Sequence, residues 1–161
     1  MKTIYFIRHA KAKKDDEEQE DKERGLSKKG IEDAKLMKKM VKNRLHPQVV
    51  YSSSAKRAKE SAKILFSSGA KVEYFDELYT FEKDSLKSFI ENIDDNLKSI
   101  AIVGHNNAIT AVCEELSDSA IGNLPTCGIF AIRFDVTSFK ELFEKEGEIL
   151  YYCYPKMFKK E

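Results

Sequence analysis

Short apolar runs alternate with longer stretches of helical period along this chain. That alternation limits the folds open to it more than any other feature. Residues 3–7 form a short apolar run of the kind that makes a buried strand. Over residues 27–45, Ile31, Ala34, Met37 and Val41 share one helical face and lysines take the other, with Ser27 placed to cap. Pro47 bars further helix, and residues 48–51 read as a second strand. A helix over 55–66 follows, with an Ala55, Ala58, Ala62, Leu65 stripe; Gly69 ends it, and 72–75 is a short strand. Leu86, Phe89, Ile90 and Ile93 repeat the helical spacing. Residues 100–103 are the most apolar strand and are expected at the centre of a sheet. Another helix over 108–116 precedes late strands at 128–134 and 149–154, and 138–145 reads equally as helix or loop. Such an order predicts an α/β fold: one domain over residues 1–161, with a mostly parallel central sheet and helices on both faces.

A chain of 161 residues suits one domain, and neither an internal repeat nor an interdomain linker is visible. The 28 basic and 27 acidic residues nearly cancel, so the global charge offers no reason to bind nucleic acid or an anionic membrane. Cys113, Cys127 and Cys153 are few, odd in number and widely spaced. They read as free thiols in a reducing compartment rather than a disulfide frame. The apolar start is too short for a signal-peptide core, and no later run approaches a membrane span. A cytoplasmic protein is expected.

Residues 15–23 carry a dense run of carboxylates. They read as a solvated, self-repelling loop, because adjacent carboxylates without a fixed scaffold seldom converge on one ion. The alternatives are a metal site, or a border of an active site that repels unwanted anions.

In open α/β sheets, ligands sit beyond the carboxyl ends of the strands. Three of the predicted strands end in residues suited to one task. The first runs into Arg8 and His9. The second runs into Ser52, Ser53 and Ser54, with Arg57 in the first turn of the next helix. The central one runs into Gly104, His105, Asn106 and Asn107, where another helix begins. If those ends are neighbours, guanidiniums, imidazoles and helix N-termini converge, and such a cleft fits a phosphoryl group. A neutral imidazole can attack phosphorus and divide one hydrolysis into two easier steps. Arginine and histidine supply the positive charge, so no metal or other cofactor is required. Taken singly, each residue has an ordinary reading: Arg8 as a surface ion pair, Arg57 as part of a solvated helix face with Lys56 and Lys59, His105 as a donor to a backbone carbonyl. His46, beside Pro47 in a turn, keeps its ordinary reading.

The same residues carry a resemblance. Ile7-Arg8-His9-Ala10-Lys11-Ala12 resembles the Arg-His-Gly signature of the histidine phosphatase (phosphoglycerate mutase-like) superfamily, in the variant with Ala for Gly of the SixA-like phosphohistidine phosphatase branch. Asp21-Lys22-Glu23-Arg24-Gly25-Leu26-Ser27, followed by Gly30, resembles that branch's D-x-x-R-P-L-(S/T)…G segment, with Gly25 where Pro is usual. Residues 51–62 resemble the S-S-P-x-x-R-A-x-x-T-A block, with Ser54 for Pro and Ser61 for Thr. Val103-Gly104-His105-Asn106 resembles the branch's V-G-H-N, and Leu124-Pro125-Thr126-Cys127-Gly128 a late segment. The resemblance implies that His9 is the phosphorylated nucleophile, that Arg8, Arg57 and His105 hold the phosphoryl oxygens, and that Arg24 reaches the same cleft.

Larger members of that family place a Glu two residues beyond a Leu after the third strand. Here Leu78 is followed by Thr80, and Glu77, Glu82 and Asp84 are the nearby candidates for a general acid. An alkoxide leaving group needs protonation, whereas the imidazole of a phosphohistidine leaves readily. The absent acid and the lack of long lid insertions therefore favour phosphohistidine on a protein partner. The alternatives are a phosphatase for a small phosphate ester, with Glu77 or Glu82 as acid, and a phosphate-recognition module without turnover.

Overall fold

The structure, a computed structural model, describes residues 1–159. One sheet of six strands runs through it in the order β3-β2-β4-β1-β5-β6. The strands are β1 (Lys2–Arg8), β2 (Val49–Ser53), β3 (Lys71–Phe75), β4 (Ser99–Gly104), β5 (Ile129–Phe134) and β6 (Glu148–Cys153). β3, β2, β4 and β1 are mutually parallel, while β5 and β6 add antiparallel at one side. The mostly parallel sheet expected from the sequence is therefore present, with an antiparallel pair at its edge.

Burial explains the strand compositions. β4, the most apolar run, lies between β2 and β1 and is buried from Ile100 to Gly104. A strand covered on both faces has no reason to alternate. The edge strand β3 has no fully buried residue, and β6 only Cys153.

Four α-helices cover the sheet: α1 (Lys28–Val41), α2 (Lys56–Leu65), α3 (Lys83–Glu91) and α4 (Ala108–Ser117). On one face, Ala34, Met37 and Val41 of α1 and Ala58, Ala62 and Leu65 of α2 pack with Ile7, Val50, Ala101 and Val103. On the other, Leu86 and Ile90 of α3 and Ile109, Val112 and Leu116 of α4 pack with Ile4, Phe6, Ile100 and Ile102. The segment left open as helix or loop is a 3-10 helix over Phe139–Glu144, started by a capping box of Ser138 and Glu141.

α1 corrects the sequence reading at its C-terminal end: it stops at Val41 rather than residue 45. Ile31 packs, half-buried, against the same core as Ala34, Met37 and Val41, and the neighbouring Gly30 is buried. Gly30 makes a close approach: a Cβ there would sit 2.1 Å from the Lys11 carbonyl oxygen. Ser27 caps the helix as expected, accepting from the Gly30 N–H at 3.0 Å while its hydroxyl donates to the same Lys11 carbonyl. The chain leaving β1 is thereby fixed to the start of α1. No helix among the described residues is long and apolar enough to cross a membrane, and all three cysteines are buried and free.

Candidate active site

The sheet order makes β2, β4 and β1 neighbours, and their parallel directions bring their C-terminal ends to one edge. Arg8 stands opposite Gly104, and Ser52 opposite Val103. Arg8, His9, Arg57 and His105 thus meet in space although nearly a hundred residues of sequence separate the first from the last. The N-termini of α2 and α4 begin at the same edge; α2 has no side-chain cap, while in the first turn of α4 the Thr110 N–H donates to Asn106 Oδ1 and the Ile109 N–H to the His105 carbonyl. The positive ends of both helix dipoles favour an anion there.

His9 follows β1 directly. Its backbone N–H bonds the Gly104 carbonyl at 3.1 Å, and its Nδ1 lies 2.7 Å from the Ala10 carbonyl oxygen. A carbonyl can only accept, so Nδ1 carries the proton and Nε2 keeps its lone pair. Burial holds the imidazole pKa down to about 4 against the support of the Ala10 carbonyl, and the charges of Arg57, Arg8 and Arg24 lower it further. At neutral pH His9 is an uncharged imidazole with one free nitrogen.

His105 lies beside it, the ring centroids 5.0 Å apart. Its Nε2 is 2.8 Å from the Ser53 hydroxyl, which also accepts from the Ala55 N–H. In the tautomer where the Ser53 hydroxyl donates to Nε2, Nδ1 carries the ring proton and is a donor toward a ligand. Burial, followed by His9 and Arg57, pushes the His105 pKa down to about 3.

The arginines are held individually. Arg8 Nη1 donates to the Leu124 carbonyl at 3.0 Å, and its own backbone N–H bonds the Gly128 carbonyl. The Cys127 N–H, in a left-handed turn at φ 59°, is shared between the Arg8 and His9 carbonyls. Residues 124–128 therefore form the seat of Arg8 and His9. Arg57 is buried on the first turn of α2 and donates twice to Asp21: Nη1 to its carbonyl at 2.7 Å and Nη2 to its carboxylate at 2.9 Å. Arg24 donates to the other carboxylate oxygen at 2.7 Å, and the Tyr79 hydroxyl to the first at 2.6 Å. Burial opposes ionisation of Asp21, but the hydrogen bonds from Tyr79, Arg24 and Arg57 outweigh it and hold the carboxyl well below the usual range. Ser61 ties the two halves together, accepting from the Ala10 N–H at 2.8 Å and donating to the Arg57 carbonyl at 2.7 Å.

Asp21 corrects the reading of residues 15–23. Most of that run is exposed, as a solvated loop should be, but Asp21 opens a 3-10 helix and is the anchor of two site arginines. Its i, i+3 spacing to Arg24 was the available signal; nothing local ties it to Arg57 or Tyr79, which lie 36 and 58 residues away. Among the described residues no group of three or more His, Cys, Asp or Glu side chains is placed to hold a metal ion. The three acid candidates stay outside the cluster. Glu77 lines a groove with Tyr51, Phe75 and Phe89. Glu82 occupies the N-cap position of α3 without a side-chain cap bond, Asp84 lies in its first turn, and both are exposed. Tyr79 and Phe81, which carry no signal in the sequence, meet the His105 ring edge to face instead. His46 is exposed and precedes β2, at the end of the sheet opposite the cluster.

Four polar atoms of this cluster are buried without a partner among the described residues: Nε of Arg8, Arg24 and Arg57, and Nδ1 of His105. Buried N–H groups require acceptors. Three guanidinium charges against the one carboxylate of Asp21 leave two positive charges, which suits a dianionic phosphoryl group.

Residues 4–81 match the family model of the histidine phosphatase superfamily (branch 1). Among solved structures, the candidate phosphohistidine phosphatase SixA of Agrobacterium tumefaciens superposes with a TM-score of 0.82 at 22% identity, covering 96% of this chain and 98% of that one. The corresponding SixA candidate of the Nakamurella species gives 0.81 at 21%, covering 96% of each chain. The protein histidine phosphatase SixA complexed with tungstate gives 0.76 at 18%, covering 98% and 99%. At these identities the likeness establishes the fold. Among curated proteins, none matches this sequence.

Proposed function

We propose that this chain, which carries the histidine phosphatase family pattern over residues 4–81 and that family's fold over nearly its whole length, removes phosphoryl groups from phosphohistidine on a protein partner. The family match and the fold support a phosphatase with a histidine nucleophile. The observation that carries the reading is the pairing of a neutral His9, its Nε2 free, with three buried guanidinium Nε–H groups and the buried Nδ1 of His105 in the same cluster, none of which has a partner among the described residues.

The reaction then runs in two displacements. His9 Nε2 attacks phosphorus in line with the substrate's P–N bond. A P–Nε2 bond forms as that bond breaks, and its electron pair returns to the substrate ring, which departs as a neutral imidazole when its other nitrogen is protonated. Arg8, Arg57, Arg24 and His105 hold the equatorial oxygens while charge redistributes among them. Water next attacks the phosphoryl group, the P–Nε2 bond breaks, and phosphate leaves with His9 restored. The lack of a carboxylate beside His9 hinders no step, because neither leaving group is an alkoxide.

Phosphate-ester hydrolysis is the rival reading, with a phosphoserine phosphatase from Entamoeba histolytica among the similar folds at 15% identity. A phosphohistidine protein assayed beside a panel of phosphate esters separates the two, with faster turnover of the phosphohistidine expected. Brief reaction, mildly alkaline quenching and mass spectrometry should find the phosphoryl group on His9, and His9→Ala should abolish both adduct and turnover. Faster ester hydrolysis would overturn the substrate assignment, and full activity in His9→Ala would overturn the nucleophile.

A further inference from the structure

The segment joining β3 to α3 lies where a general acid was sought, yet it presents aromatic rings to the site. Leu78 is buried beneath it, Tyr79 bonds Asp21, and Phe81 stands 47% exposed. An exposed phenylalanine is ordinary when solitary. Phe81 is not solitary: its ring centroid lies 5.4 Å from that of His105 and 5.7 Å from that of Tyr79, both edge to face, and Tyr79 is itself 5.4 Å from His105. His105 is 1% exposed and touches His9. One side of the Phe81 ring therefore rests on the phosphate-binding cluster, and the rest faces solvent at its mouth. Its backbone is braced, since the Thr80 hydroxyl accepts from the Glu82 N–H at 3.1 Å across it. Tyr79 is braced by its bond to Asp21.

We infer that Phe81, backed by Tyr79, is a stacking platform for the imidazole of the incoming phosphohistidine, and so a specificity-determining residue for an aromatic leaving group. The inference rests on the phosphohistidine reading. Flat rings gain from offset or edge-to-face contact with an aromatic partner, whereas an aliphatic alkoxide gains nothing comparable. Holding the ring also orients its scissile nitrogen opposite His9 Nε2, which is what an in-line displacement requires.

The test compares 1-phosphoimidazole with phosphoramidate, two P–N substrates that differ in having and lacking a ring. The readout is the ratio of their kcat/KM values in the wild-type protein, Phe81→Ala, Phe81→Leu and Phe81→Tyr. We expect the ratio to fall about tenfold in the Ala and Leu variants and to recover in Phe81→Tyr. A ratio unchanged in Phe81→Ala, or equally high in Phe81→Leu, overturns the platform. A wild-type protein that hydrolyses neither P–N substrate but turns over phosphate esters overturns the underlying phosphohistidine reading instead. Thermal unfolding of each variant checks the fold independently, and an exposed side chain should leave it intact.

Discussion

At the scale of single residues, the proposed chemistry depends on keeping His9 neutral amid positive charge. Its pKa, held near 4 first by burial and then by the arginines, leaves Nε2 able to attack well below neutrality. The limb of kcat/KM assigned to the free enzyme should therefore stay flat from pH 7 down to about 5 and fall only as pH drops through about 4. A profile that bends near 6.5, the ordinary histidine value, would contradict this assignment. Asp21 acts one step away. It touches Arg57, Arg24 and Tyr79 but not His9, so it positions the donors. Asp21→Asn keeps the shape while removing the charge that holds two guanidiniums, and we expect kcat to fall roughly tenfold to a hundredfold, in line with weakening of one or two charge-assisted hydrogen bonds. Asp21→Glu should recover part of the loss. An Asp21→Asn variant with wild-type kcat would show that the arginines hold their places unaided.

At the scale of elements, the site is a product of how β1 leaves the sheet. The chain passes from His9 to Lys11, where its carbonyl meets the first turn of α1 too closely for any side chain at residue 30. Gly30→Ala must push α1 away from residues 10–12, at a cost of about 1–3 kcal/mol by overpacking. Chemical denaturation should register that loss, and kcat should drop with it, because the segment that moves is continuous with His9. Stability and kcat both unchanged would mean the contact relaxes freely. Much of this level is readable from the sequence. Ser27 as cap, the alanine stripe of α2 and the central position of β4 all follow from spacing and composition, because each depends on local propensity or on a periodic face. The early end of α1 is not readable, since residues 42–45 continue a helical composition and only packing decides where the helix stops.

At the scale of the whole molecule, the two buried imidazoles link the site to stability. Both have folded-state pKa values below the ordinary 6.5, about 4 for His9 and about 3 for His105, with burial the first cause in each. The unfolded chain therefore takes up protons before the folded one does. Stability is fully present above about pH 6.5 and declines as pH falls toward 4. The urea midpoint should be lower at pH 5 than at pH 7, with a shallower decline in His105→Asn; equal declines would place the proton uptake on other groups.

The alternation of strands and helices, the sheet faces that must be covered, and the placement of Arg8, His9, Arg57 and His105 at or just beyond strand ends are legible in the order of the amino acids. These are local properties, and local spacing carries them. That β2, β4 and β1 are neighbours, that Asp21 reaches from an acidic loop to two arginines, and that Tyr79 and Phe81 border His105 emerge with the packed fold alone. Those outcomes depend on side chains dozens of residues apart arriving at one sheet edge, and no periodicity along the chain encodes which distant partners will meet there.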